Sequence, residues 1–182
     1  MLLFQLRCFF STFLVLLVLL ITNSECLGDD RTEEIGDALV IVLAASSLGT
    51  AAYLHDGEGA IQFSKSSAIT FGITNALKYT VQEERPNGGD HSFPSLHTSL
   101  SFSSAEFLRK RYGWGPGLPA YAIASLVGYS RVKSDNHYWH DVIAGAAIGV
   151  ASSYFFTKPF EGVKVSLEGS ENYGGIRLSS SW

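Results

Sequence analysis

The chain reads as an all-α protein, a helical bundle of about five to six helices with a possible small C-terminal β-hairpin. Three observations carry that reading. Apolar runs of helix length recur between breaks rich in Gly, Pro and Asn. Many of the 18 glycines fall inside those runs, which fits closely packed helices better than a β protein. Strand-like alternation is confined to the tail. With 182 residues, the reading is one domain over residues 29–160, preceded by a targeting segment and followed by a tail at 161–182. The formal charge of -4, without a basic stripe, argues against a nucleic-acid partner.

Taken in order, residues 1–28 read as a signal peptide or an N-terminal anchor. Arg7 is the only charged side chain before Glu25, Phe13 to Ile21 is the apolar centre, and Ser24, Cys26 and Gly28 are small residues suited to cleavage. Both cysteines, Cys8 and Cys26, lie in this segment, so cleavage after Gly28 would leave no thiol for a disulfide or a metal site. Asp29 to Glu34 is a charged surface stretch. Ala38 to His55 is uncharged over 18 residues, long enough for a membrane span at the lower limit or for a buried bundle helix. Asp56 to Gly59 is a break, and Ala60 to Val81 a second helix, more polar than a lipid-facing one. Glu83 to Phe93 is a loop.

Ser95 to Tyr112 is a third helix, closed by Arg109-Lys110-Arg111. Gly113 to Pro119 is a turn region, and Ala120 to Tyr129 a fourth helix. Val142 to Phe156 is the fifth, with Gly145 and Gly149 spaced for close approach of another helix. Val163 to Leu167 and Ile176 to Ser179 alternate around a turn-like stretch, hence the hairpin.

Three clusters hold reactive side chains. Lys78 and Arg85 are seven residues apart, about two helical turns, and can face one side as an anion site. Alone, they read equally as a solvated helix end neutralised by Glu83 and Glu84. Pro94-Ser95-Leu96-His97 suits a helix start whose amides favour an oxyanion, with His97 in the first turn. Alone, it is a cap and an exposed histidine. Ser130-Arg131 leads to His137 and Asp141, one turn apart if a helix begins near Tyr138. A carboxylate there can accept the Nδ1 proton and leave Nε2 as a nucleophile or base. Arg131 adds a planar, permanently charged fork suited to phosphate. Alone, this is a capped helix start with an acid favoured by the helix dipole.

Together the order is Lys-x6-Arg-Pro, then Pro-Ser-x-His, then Ser-Arg-x5-His-x3-Asp. It resembles the type 2 phosphatidic acid phosphatase (PAP2) superfamily, which also includes class A acid phosphatases and vanadium haloperoxidases. The resemblance runs from about Phe63 to Phe156 and misses one signature position, Leu96, where the family usually has glycine. It implies that His137 attacks phosphorus, that Asp141 holds the tautomer of His137, and that His97 protonates the leaving oxygen and then activates water. It implies that Lys78, Arg85, Arg131, Ser95 and the Leu96 amide hold the non-bridging oxygens. It implies no cofactor and no metal, and no His/Asp/Glu cluster is left over for a two-metal site. His91 and His140 receive no role.

The implied reaction is phosphatase hydrolysis of a phosphomonoester or diphosphate. The substrate is lipid-linked, of phosphatidate, undecaprenyl diphosphate or lipid A type, or else a small phosphate ester. A haloperoxidase holding vanadate with the same cations is the alternative. The implied setting is exported or membrane-associated, with the site on the non-cytoplasmic side. Leucine at position 96 is strained if that residue needs a positive φ, and costs little in an ordinary first turn.

Overall fold

The computed structural model describes residues 29–160 and two strands at 164–170 and 173–179. The expected signal peptide or anchor at residues 1–28 lies outside the described residues, as do both cysteines. Five helices follow one another: α1 Asp29–Tyr53, α2 Gly57–Val81, α3 Leu96–Tyr112, α4 Trp114–Lys133 and α5 Trp139–Phe156. The expected hairpin is present: β1 Lys164–Ser170 pairs antiparallel with β2 Tyr173–Ser179 around a shorter turn than predicted.

Four helix starts lie upstream of the sequence expectation, α2 and α5 by three residues and α1 and α4 by more. α1 begins at Asp29, so the charged stretch expected on the surface forms its first turns. One of its acids, Glu33, is turned towards α4. α4 begins at Trp114 and absorbs the expected turn region. Pro116 lies in its first turn, where a missing N–H loses nothing. Pro119 stands inside the helix. Close packing offsets that defect: a Cβ on Gly117 would lie 2.7 Å from the Arg109 Cα, so α4 is laid tightly on α3 from its first turns. The other ends follow local chemistry. Asp56 caps α2 by accepting from the Gly59 amide at 2.9 Å, and Ser95 caps α3.

α3 packs against each of the other four helices. Its contacts with α1, α2 and α4 are largely apolar, built from Leu39, Leu43, Phe63, Phe107, Leu108, Ile123 and Val127. The space among α2, α3 and α5 is filled differently. Ser66, Thr70 and Thr74 line one face of α2 at a spacing of four and are wholly buried. Thr70 donates to Ser103 at 3.3 Å, and the Thr74 and Ser99 hydroxyls bond at 3.0 Å. The same spacing continues to Lys78, so the polar seam leads to the candidate site.

α5 lies on α3 backbone to backbone. A Cβ on Gly145 would meet the Ser95 carbonyl oxygen at 2.6 Å, and one on Gly149 the Ser99 carbonyl oxygen at 2.1 Å. Backbone cannot move aside as a flexible side chain can. Gly149→Ala is therefore expected to destabilise the protein by roughly 1–3 kcal/mol through overpacking. Gly72→Ala, where an added Cβ meets nothing within 4 Å, should hold or raise the melting temperature. Thermal melting of the two variants checks the contrast.

Candidate active site

The α3–α5 contact brings the second and third motifs together. The Ser95 amide donates to the Asp141 carbonyl at 3.1 Å, joining the start of α3 to the first turn of α5. Tyr138 is the N-cap of α5, so His137 stands just outside the helix rather than within it. Its backbone is held from the other side. The amides of Asn136 and His137 both donate to the Arg131 carbonyl at 3.1 Å, at the end of α4.

The expected His137–Asp141 pair is present. His137 Nδ1 lies 3.3 Å from Asp141 Oδ2, and both side chains are buried. That oxygen also accepts from the Tyr138 amide at 2.9 Å and from the Ser92 hydroxyl at 2.5 Å. One carboxylate thus both caps α5 and faces the imidazole, so the two alternatives from sequence are both true of Asp141. A carboxylate at Nδ1 favours the tautomer protonated there and leaves Nε2 for chemistry. No partner for Nε2 occurs among the described residues.

Ser92 is a site residue that sequence reasoning passed over, although it stands inside the second cluster. Its hydroxyl lies 3.4 Å from His137 Nδ1 as well as on Asp141. Only the fold, which returns the loop onto α5, could reveal it.

The cations are arranged less simply than predicted. α2 ends at Val81 and Gln82 is left-handed, so Arg85 lies in the following loop, not two turns along one helix face from Lys78. The loop nevertheless returns Arg85 to the site. Asn87 is bonded to the 135–136 segment through its amide and side chain, at 3.1 and 3.2 Å. Arg85 Nε is buried without a hydrogen-bond partner among the described residues, a donor open to an anion. Lys78 is buried and donates to the His91 and Ser92 carbonyls at 2.7 and 3.2 Å. His91 thus contributes its backbone rather than its ring. Burial, with Arg85 adding to it, lowers the Lys78 pKa to about 8.

Arg131 is also buried, but its guanidinium faces α1. Nη2 donates to the Glu33 carbonyl at 2.6 Å, and Nη1 lies 2.9 Å from Asp37 Oδ1. Burial and the positive charges of Lys78 and Arg85 push the His137 pKa below the ordinary histidine value, with Asp141 opposing. Burial and Arg131 depress His97 in the same direction, opposed by Asp37.

Ser95 is wholly buried, with its oxygen accepting from the Thr98 hydroxyl at 2.9 Å and the Thr98 amide at 3.5 Å. Its place is the cap of α3, beside the site. Leu96 is the first residue of α3 and is not among the positive-φ residues, so leucine there is an ordinary first-turn residue. The strained alternative is excluded by the backbone itself.

A carboxylate–histidine cluster forms around the already assigned Asp141, with three groups only and so no two-metal centre among the described residues. Glu83, His140 and Asp141 bring ligand-type atoms within 4.8 Å of one another. His140 Nε2 bridges the two acids, 2.9 Å from Glu83 Oε1 and 3.1 Å from Asp141 Oδ1. The loop between α2 and α3 carries Glu83 onto α5, a closure that spacing alone does not reveal.

A helical bundle that gathers two histidines, a buried carboxylate and three cations at one end defines a class of protein suited to phosphate chemistry. Comparison with known proteins gives the family. The PAP2 superfamily profile matches residues 87–162. The chain is 31% identical over 173 residues to the lipid A 4'-phosphatase of Helicobacter pylori, covering 82% of this chain and 85% of that one. It is 36% identical over 88 residues to the lipid A 1-phosphatase of Porphyromonas gingivalis, covering 46% of this chain and 20% of that one. The crystal structure of Aquifex aeolicus LpxE has the same fold, with a TM-score of 0.59 at 19% identity over 68% of this chain and 84% of that one. The chain belongs to the PAP2 superfamily.

The electrostatics make a direct prediction. His137 should titrate by NMR below the ordinary histidine value near 6.5. Lys78→Met removes a cation that disfavours the imidazolium, so the His137 pKa should rise. An unchanged titration would mean that the Lys78 charge does not reach His137.

Proposed function

We propose that this PAP2-type phosphatase hydrolyses a lipid-linked phosphate of the lipid A kind through a phosphohistidine on His137. The observation that carries the reading is the His137 geometry: Nδ1 facing buried Asp141, Nε2 unpartnered among the described residues, and burial, with nearby cations, favouring the neutral ring. Nε2 attacks phosphorus, and the bond from phosphorus to the leaving oxygen breaks. His97 gives that oxygen its proton. His97 then takes a proton from water as the water attacks phosphorus, the P–N bond breaks, and phosphate leaves. Lys78, Arg85 and the first-turn amides of α3 are the donors for the non-bridging oxygens, and three nearby cations offset charge without a metal.

The lipid part of the reading rests on two supports. Relatives bear the names of lipid A phosphatases. Large apolar side chains are exposed on four helices, among them Ile41 and Leu48 on α1, Phe71 and Ile73 on α2, Leu118 and Tyr129 on α4, and Ile143 and Phe155 on α5. Arg31–Tyr53 is long and apolar enough to cross a membrane. The site opens on the non-cytoplasmic side in this reading, where an exported segment at residues 1–28 would deliver it.

A panel of lipid A, undecaprenyl diphosphate, phosphatidate and a small aryl phosphate tests the substrate. Lipid A is expected to have the highest kcat/KM; preference for another head group would reassign the substrate while leaving the chemistry. His137→Ala should fold and lose turnover, and wild type quenched in alkaline denaturant should carry an acid-labile, alkali-stable phosphate on histidine. Asp141→Asn should lower kcat by a large factor, about 10⁴ where an analogous tautomer is lost. Vanadate should compete with substrate and EDTA should leave the rate unchanged. Inactivation by chelator, reversed by a divalent ion, would overturn the metal-independent mechanism.

A further inference from the structure

The α1 carboxylate of Asp37 stands among the catalytic groups, outside the segment that the family profile matches. Its side chain is half exposed, but Oδ1 is turned inward and has no well-aligned hydrogen-bond donor among the described residues. Two cationic or potentially cationic nitrogens nevertheless face it, Arg131 Nη1 at 2.9 Å and His97 Nε2 at 3.3 Å. The approach is built into the helix backbone. A Cβ on Gly36 would lie 2.1 Å from Ser130 Oγ and 2.3 Å from Arg131 Nη2, so a side chain there would have to push the serine hydroxyl and the guanidinium aside. One turn earlier the Glu33 carbonyl accepts from Arg131 Nη2 at 2.6 Å, and the Glu33 carboxylate lies 3.8 Å from Nη1. The first turns of α1 therefore grip a buried guanidinium and present a carboxylate to the His97 ring.

We infer that Asp37 is a positioning residue for proton transfer, orienting His97 through Nε2 and offsetting the charge of Arg131 beside it. This rests on the reading of His97 as the proton-transfer group. A carboxylate at Nε2 favours the tautomer protonated there and turns Nδ1 towards the reaction, the reverse of the arrangement at His137. The charged groups that act on His97 come from four elements, Asp37 on α1, Lys78 on α2, Arg85 in the loop and Arg131 on α4, and none from α5. Three of the four are cations that disfavour imidazolium, and Asp37 alone opposes them. Without it the proton donor would be deprotonated at lower pH. The carboxylate thus maintains an acid that its surroundings would otherwise discharge.

The test uses the full-length chain and pH profiles of kcat/KM on an aryl phosphate and a lipid phosphate. Asp37→Asn should move the alkaline limb down by about one unit, the lower end expected for a nearby opposite charge. The rate on that limb should then fall about tenfold. Lys78 titrates on the same side, at about 8, so the limb is assigned by NMR titration of His97. Asp37→Ser should shift the His97 titration in the same direction, which keeps the result independent of the folding of one variant. Asp37→Glu should restore most of the wild-type profile.

A lower melting temperature with the His97 titration and the limb unmoved would overturn the proposal and leave Asp37 as a helix-docking contact. Tighter vanadate binding with faster turnover at every pH would overturn it too, because the carboxylate would then be competing with phosphate. His97→Asn separates this inference from the reading beneath it. An inactive His97→Asn beside an unshifted Asp37→Asn overturns Asp37 alone, whereas a fully active His97→Asn overturns both.

Discussion

The close contact of α5 with α3 is the constraint on which the site depends. Gly145 and Gly149 remove the side chains that would hold the two backbones apart, and the Ser95 and Ser99 carbonyls occupy the space released. Because the helices meet through backbone, their relative height has little freedom. The Ser95–Asp141 bond then joins the cap of one helix to the first turn of the other. His137 and His97 belong to segments forty residues apart in sequence. They share a site because α5 can sit only where its glycines meet the α3 backbone.

That rigidity has an electrostatic consequence. Lys78, Arg85 and Arg131 are drawn to one end of the bundle, two of them buried. Burial first, and then these charges, disfavour protonation nearby and depress both histidines and Lys78 itself. Two carboxylates oppose them from different sides, Asp141 from α5 at His137 and Asp37 from α1 at His97. The arrangement can hold one histidine neutral and keep the other protonatable because each has its own acid. A dianionic phosphate entering the site would relieve the same excess of positive charge, so the empty site favours its ligand before any specific contact is counted.

What the sequence made legible was local. The helix runs, the Ser95 cap, the His137–Asp141 pair and the glycine spacing in α5 follow from periodicity and spacing over a few residues. The errors lie where a distant segment decides. Periodicity placed Arg85 on the face of α2, but the chain turns at Gln82 and the loop returns the arginine through Asn87. Composition made a turn of the residues before Ala120, but packing on Arg109 carries the helix through Pro119. Glu33 keeps its carboxylate exposed as expected, but its backbone carbonyl accepts from Arg131, 98 residues away, which no local pattern shows. Ser92 and Asp37 act through side chains that meet the motifs only once the bundle closes.

The polar seam of α2 explains how a predominantly apolar bundle can carry such a site. The hydroxyls of Ser66, Thr70 and Thr74 bond α2 backbone carbonyls and the Ser103 and Ser99 hydroxyls of α3, while large apolar side chains occupy the outside of the same helix. A helix of this kind reverses the usual amphipathic arrangement of a soluble bundle. Lys78 continues this polar face and is buried against the His91 and Ser92 carbonyls rather than against hydrocarbon, where its charge would be lost. The outward apolar face suits a lipid surface, and the inward polar face suits a phosphate. On this reading the two properties are one design: the residues that would make α2 unsuited to an ordinary core are those that carry a cation to the phosphate end of a membrane-facing bundle.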